Sequence, residues 1–186
     1  MGLYSRLVSA RNSALAGELK KYLRGNERIL DIGCGNGDVG FRLGKIGNMK
    51  ICGIDSHVKN SLIPFKRADA KRLPFKNGEF DVSLLVDVLH HEKDIRRVLS
   101  ESSRVSRRII VKDHFYETGF QKAKLKFIDY VCNAPFGVPT VFNFLTIDEW
   151  RKLFKSLGLK VIKMNKSFKI NSLDIIDHVF FELEKQ

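Results

Sequence analysis

Cysteine is scarce in this chain and has the wrong spacing for structural work. Cys34, Cys52 and Cys132 are odd in number and none sits in a C-x-x-C pair, which argues against a disulfide framework or a cysteine zinc site. A reducing compartment, the cytoplasm, is the expectation that follows. Long apolar runs are missing too. No stretch approaches the roughly 20 residues of a membrane span. The start lacks the apolar core of a signal peptide, and Arg6 stands where a myristoylation signal after Met1-Gly2 needs Ser or Thr. No membrane association is therefore expected. Acidic residues are in short supply: 21 Asp and Glu against 33 Lys and Arg leave a formal charge of +12. The excess collects in residues 96–112, 122–126 and 151–169, a basic skin that suits solvated element faces or an anionic partner such as RNA. Repeats and low-complexity segments are absent, and 186 residues bury one substantial core but not two. A single domain over residues 1–186 is expected.

What is present centres on Ile29 to Gly40, read Ile-Leu-Asp-Ile-Gly-Cys-Gly-Asn-Gly-Asp-Val-Gly. An apolar run broken by one acid and then by Gly33, Gly35 and Gly37 predicts a buried parallel strand turning into a helix. Glycine tolerates positive φ and has no Cβ, so backbone there can approach a ligand closely while the helix-opening N–H groups stay available. Asp31 is expected to face the ligand space. Two ligand classes fit the turn. Gly35, Gly37 and Gly40 have G-x-G-x-x-G spacing, with Asp55 20 residues beyond Gly35, as a dinucleotide fold requires. The acid at Asp31, two residues before Gly33, instead repels a pyrophosphate and suits a cation.

Asp31-x-Gly33-x-Gly35-x-Gly37 resembles the nucleotide-binding loop of the class I methyltransferases that use S-adenosylmethionine, and the run Asp69-Ala70, Leu73-Pro74-Phe75, Phe80-Asp81 is similar to theirs in type 11-like small-molecule enzymes. The resemblance covers nearly the whole chain from Ile29 onward. It implies an α/β, Rossmann-like doubly wound sheet of seven strands in the order 3-2-1-4-5-7-6, mostly parallel, with only the last antiparallel. It also implies S-adenosylmethionine as cofactor, held by Asp31, Gly33, Gly35, Gly37, Asp55, Ser56, Asp69, Ala70 and Asp87. Asp55 would accept from the ribose hydroxyls, Asp69 from the adenine amino group, and the Ala70 N–H would face the ring.

Hydrophobic spacing from Leu3 to Leu23 predicts an amphipathic helix; in the resembling family a helix here, within residues 1–25, often covers the cofactor. Strands are expected at residues 28–32, 50–55, 65–69, 80–86, 108–113, 159–164 and 174–183, and helices at 39–46, 94–104, 120–131 and 147–157. Thr146 with Glu149 forms a capping box for the last helix.

Polar side chains at the carboxyl edge of the sheet are the substrate-side candidates. His91, His114 and Asp113 are the candidate catalytic residues, since imidazole titrates near neutrality. His90, Lys112, Asn133, Phe136 and Asn143 are candidate substrate contacts. Residues 132–144, with two prolines and three phenylalanines, read as an aromatic-walled lid or as a connector that plugs the core. No metal centre is expected: a metal site would need an acid and histidine cluster of fixed spacing, which Asp113, His114, His90 and His91 could form only if the fold assembled them. The chain also lacks the Asn/Asp-Pro-Pro-Tyr/Phe tetrapeptide and the Pro-Cys dipeptide that similar enzymes acting on nucleobases carry. Methyl transfer to a small molecule is the function expected. The alternatives are an RNA-directed methyltransferase or a non-catalytic RNA- or protein-binding subunit.

Overall fold

Period-two alternation sorts the apolar residues of the central strands onto two faces. Leu30, Leu85, Val111 and Phe181 point into one core, and their neighbours Ile29, Leu84, Ile110 and Phe180 into the other, all fully buried. Each such side chain contributes roughly 1.5–3 kcal/mol when removed from water, so a one-residue slip in register would undo both cores. The computed structural model describes residues 3–134, 140–170 and 176–185, with side chains from Arg6 onward.

The strands are β1 (Arg28–Ile32), β2 (Lys50–Asp55), β3 (Phe65–Arg67), β4 (Phe80–Val86), β5 (Ser106–His114), β6 (Leu159–Asn165) and β7 (His178–Lys185). They form one seven-stranded sheet in the order β3-β2-β1-β4-β5-β7-β6. Every pair is parallel except β5–β7 and β6–β7, so β7 alone runs backwards. This is the expected topology. Helices α1 (Leu3–Lys20), α2 (Asp38–Gly47), α3 (Ile95–Val105), α4 (Gly119–Asn133) and α5 (Ile147–Ser156) surround it. Leu15, Ala16 and Leu19 of α1 join the core that holds Leu43 of α2, whereas Val98 and Leu99 of α3 and Trp150 and Phe154 of α5 join the other. No helix among the described residues is long and apolar enough to cross a membrane.

The strand order reverses between β1 and β4, where the connections leave in opposite directions and open a crevice at the carboxyl ends. Several boundaries differ from expectation. β3 stops at Arg67, before Asp69, because the Asp69 carboxylate accepts from the Lys71 N–H at 2.8 Å and turns the chain. β5 runs on to His114, which is paired with His178 of β7. α4 extends through Cys132 and Asn133, so the expected loop of residues 132–144 begins later; residues 135–139, Phe136 among them, lie outside the described residues, as does Asp174 of the expected last strand. The described end of that loop is fastened: the Asn143 N–H donates to His90 O at 3.0 Å, Asn143 Nδ2 donates to Glu92 O at 3.0 Å, and Phe144 is 3% exposed.

Candidate active site

The glycine turn after β1 is bent by backbone that only glycine adopts readily. Gly33, Gly35 and Gly37 have φ of +73°, +53° and +76°. A Cβ on Gly33 would lie 2.5 Å from Val88 Cγ2, whereas one on Gly35 would meet nothing within 4 Å. Gly33 is therefore a packing glycine and Gly35 lies on the open side of the turn. Asp55 at the end of β2 closes the turn, its Oδ2 accepting from the Gly35 N–H at 3.0 Å and its Oδ1 from the His57 N–H at 2.7 Å.

Asp31 takes a different position from the one expected. It is 4% exposed beneath the turn, so close to α2 that a Cβ on Gly40 would lie 3.1 Å from its Oδ2. Burial, with a smaller contribution from Asp55, pushes its carboxyl up to about 7. The residue underpins the turn and is not among the walls of the cavity above it.

That cavity, about 230 Å³, is walled by Gly33, Ile54, Asp55, Ser56, Ala68, Ala70, Asp87, Val88, His91 and Glu92, with His57 at its rim. Three carboxylates and no Lys or Arg face it, an environment hostile to a pyrophosphate and favourable to a sulfonium and an ammonium. Ile54, Ala68, Ala70 and Val88 supply apolar wall for a flat ring. S-adenosylmethionine fits this donor set; a dinucleotide does not. Asp69 turns its carboxylate to Lys71, with Nζ at 3.0 Å, and is not a wall.

Asp87 follows β4 in a left-handed conformation, φ +55°, which aims its carboxylate back at the sheet edge. Its Oδ1 accepts from Lys112 Nζ at 2.6 Å and lies 3.5 Å from His114 Nε2, and its Oδ2 is 3.1 Å from Arg11 Nη2 of α1. Burial alone would raise this carboxyl, but the nearby cations, Lys112 first and then Arg11, outweigh it and hold it well below the usual range. Lys112 is fully buried, and that burial lowers its ammonium despite Asp87. It sits behind Asp87 and is not a cavity wall, contrary to its expected role as a substrate contact.

Asp113 is 1% exposed and is saturated by donors. It accepts from the Leu89, His90 and His114 N–H groups at 3.0, 3.3 and 2.7 Å and pairs with His90 Nδ1 at 2.6 Å. Burial opposes a charged imidazole at His90, but Asp113 prevails and raises it to about 10, so His90 is an imidazolium. Asp113 thus acts through His90 and does not reach the cavities. His114 is the opposite case: burial, supported by Lys112 and His90 and opposed by Asp87, keeps it neutral.

A second cavity of about 440 Å³ lies beyond Asp87. Val8 and Arg11 of α1, Leu125, Ile128, Asp129, Cys132 and Asn133 of α4, and Phe144 wall it together with His90, His91 and His114. The two cavities share Asp87 and His91. The N-terminal helix, Asn133 and Phe144 contribute to the same space. Asn143 is not a wall; it ties the chain to the turn of residues 90–92 that follows β4, as its two bonds to His90 O and Glu92 O show.

Among residues that sequence reasoning missed, Asp129 is the most informative. It is the only acid in the lysine-rich α4 and stands one turn after Leu125 on the inward face, a signal that was there to read. Arg11 had no such signal, because 76 positions separate it from Asp87.

A methyltransferase-domain family model matches residues 30–108. The 27-O-demethylrifamycin SV methyltransferase of Amycolatopsis mediterranei is 34% identical over 107 residues, half of this chain, and the chain spans 39% of that enzyme's length. An uncharacterised Methanocaldococcus jannaschii protein is 31% identical over 165 residues, 82% of this chain and 73% of its own. Among solved structures, an S-adenosylmethionine-dependent methyltransferase from Thermotoga maritima superposes with a TM-score of 0.70 at 20% identity, covering 98% of this chain and 95% of the other; this likeness shows the fold. Together with the sheet order and an acid-walled glycine turn that suits a cationic nucleoside, these matches place the chain in the class I methyltransferases, whose cofactor is S-adenosylmethionine.

Proposed function

We propose that this protein transfers a methyl group from S-adenosylmethionine to an oxygen of a small, partly apolar acceptor held in the second cavity. The observation that carries this reading is the junction: Asp87 and His91 belong to the walls of both cavities, so a methyl donor in the first and an acceptor in the second would meet beside them. S-adenosylmethionine supplies the electrophilic methyl, and the protein's part is orientation and exclusion of water. Gly33, Gly35, Asp55, Ser56 and Ala70 are the residues proposed to hold the cofactor, with Asp31 supporting the turn from below. Val8, Leu125, Ile128 and Phe144 offer the acceptor apolar contact, and Asp129, His91 and His114 offer convergent polar groups. A hydroxyl acceptor must lose its proton as the methyl arrives, and the cluster of His90, His91 and Asp129 lies where that proton leaves. The rifamycin relative is named as the methyltransferase of a 27-O-demethyl compound, which supports an oxygen acceptor here.

The test is release of S-adenosylhomocysteine during incubation with S-adenosylmethionine and a panel of phenols, hydroxyquinones and aliphatic alcohols. Turnover of at least one class, with kcat in His91→Ala reduced about 10²- to 10⁴-fold, is expected. Salt-sensitive RNA binding without turnover of any small acceptor would replace this reading with the RNA-directed or binding-subunit alternative.

A further inference from the structure

We propose that His90, His91 and Asp129 form a binding site for one divalent transition-metal ion, with zinc as the best-suited metal, at the floor of the second cavity. The inference rests on the placement of the acceptor in that cavity. Three groups from two separate elements converge there. Nε2 of His90 lies 3.5 Å and Nε2 of His91 3.7 Å from Oδ1 of Asp129, and one ligand atom from each residue falls within 4.8 Å of the others. Bonds of roughly 2.0–2.2 Å from imidazole nitrogen and carboxylate oxygen to a tetrahedral ion put neighbouring ligand atoms roughly 3.5 Å apart, which the two imidazole–carboxylate distances already approach.

The support behind these three residues is of the kind that metal ligands carry. Asp113 grips the other ring nitrogen of His90 at 2.6 Å and is itself held by three backbone N–H groups. A carboxylate in that position fixes ring orientation and raises ligand basicity. On the opposite side, Asn133 Nδ2 donates to Asp129 Oδ1 at 2.7 Å and fixes that carboxylate. The other oxygen, Asp129 Oδ2, buried in a residue only 7% exposed, has no hydrogen-bond partner among the described residues. A buried carboxylate oxygen without a donor is costly, and a cation is the partner that removes the cost. Two histidines and one carboxylate leave coordination positions open toward the cavity, the arrangement of catalytic rather than structural sites. A divalent ion bound at Nε2 of His90 takes the place of the proton there, while the Nδ1 proton stays on the Asp113 side.

The chemical consequence is direct. A hydroxyl that touches the ion becomes more acidic, so its O–H bond breaks with the proton passing to water. The oxygen then forms its bond to the methyl carbon as the bond from that carbon to the sulfonium sulfur breaks, and its electron pair stays on sulfur. The other two histidine and acid groupings among the described residues are poorer sites. Asp87 with His114 is already engaged by Lys112 and Arg11, and Asp113 is saturated by its donors.

The test is metal binding by the chelator-treated full chain, followed by equilibrium dialysis against ZnCl2 and by visible absorption with CoCl2, both without acceptor, so that the outcome is independent of which acceptor is used. One equivalent of metal per chain and the intense d–d bands of low-coordinate Co(II) are expected. His91→Ala removes a half-buried ligand at small cost to folding and should weaken binding more than about 100-fold, whereas Asp113→Asn, acting on His90 from behind, should weaken it about 10- to 100-fold. Absence of stoichiometric binding in the wild-type chain, or binding that His91→Ala and Asp129→Asn leave unchanged, would overturn the proposal and leave the methyl-transfer reading standing.

Discussion

Nδ1 of His90 lies 2.6 Å from Oδ1 of Asp113, a contact between side chains that are 3% and 1% exposed. Removing the carboxylate leaves a buried imidazole and three backbone N–H groups without their acceptor. Breaking a buried pair in this way costs about 3–5 kcal/mol. Asp113→Ala should therefore lower the unfolding free energy by that amount in urea titrations. A change below about 1 kcal/mol, the level of an exposed pair, would mean that the contact is not made in solution.

The two glycines of the turn should separate folding from binding. Gly33→Ala combines left-handed backbone, costing about 1–2 kcal/mol, with a collision against Val88 that adds about 1–3 kcal/mol. Gly35→Ala carries the backbone cost but meets no protein atom. Thermal unfolding should rank Gly33→Ala well below Gly35→Ala, while calorimetry should find cofactor affinity reduced in Gly35→Ala at temperatures where it is fully folded. Equal unfolding midpoints would contradict the packing role assigned to Gly33.

Asp31 makes stability depend on pH. Its carboxyl is raised from 3.8 to about 7 in the folded chain, so the folded state binds the proton more tightly than the unfolded state. The favourable contribution is present below the unfolded value and is lost as pH rises through about 7. Asp31→Asn does not titrate. Relative to wild type it should gain about 3 kcal/mol between roughly pH 5 and pH 8. A difference that stays flat across this range, measured by urea titration at each pH, would show that Asp31 is not buried as described.

Asp55 is the wall residue with the strongest claim on the cofactor. It offers a charged acceptor at the end of β2 while closing the turn through Gly35 and His57. Asp55→Ala should weaken S-adenosylmethionine binding by about 1–3 kcal/mol, roughly 5- to 150-fold, the range for a lost charge-assisted hydrogen bond. Asp55→Asn should lose less, because an amide oxygen still accepts. Unchanged affinity in Asp55→Ala would remove the residue from the site.

Much of the frame was legible because it depends on short-range pattern. Strand positions β1, β2 and β4 follow from mostly apolar segments of five to seven residues, and the capping box of α5 lies within four residues of sequence. The sheet order came from the family resemblance and not from periodicity. Errors fell where one side chain redirected the chain, as Asp69 does at the end of β3, or where a distant strand lent its pairing, as β7 does to His114.

What the sequence by itself determined is the pair of apolar cores and the position of the glycine turn, since period-two alternation and left-handed glycine backbone are local properties of the chain. Tertiary structure decided the site. Asp31 went under the turn and not into the cavity because α2 packs over it at Gly40. Lys112 disappeared behind Asp87 because a fully buried ammonium needs a carboxylate beside it, and Asp87 stands 2.6 Å away. Asp113 became a support for His90, and Asp129, on a helix that follows β5, arrived beside two histidines that follow β4. Contacts of this kind depend on how the sheet edge brings together residues tens of positions apart, and no local spacing records them.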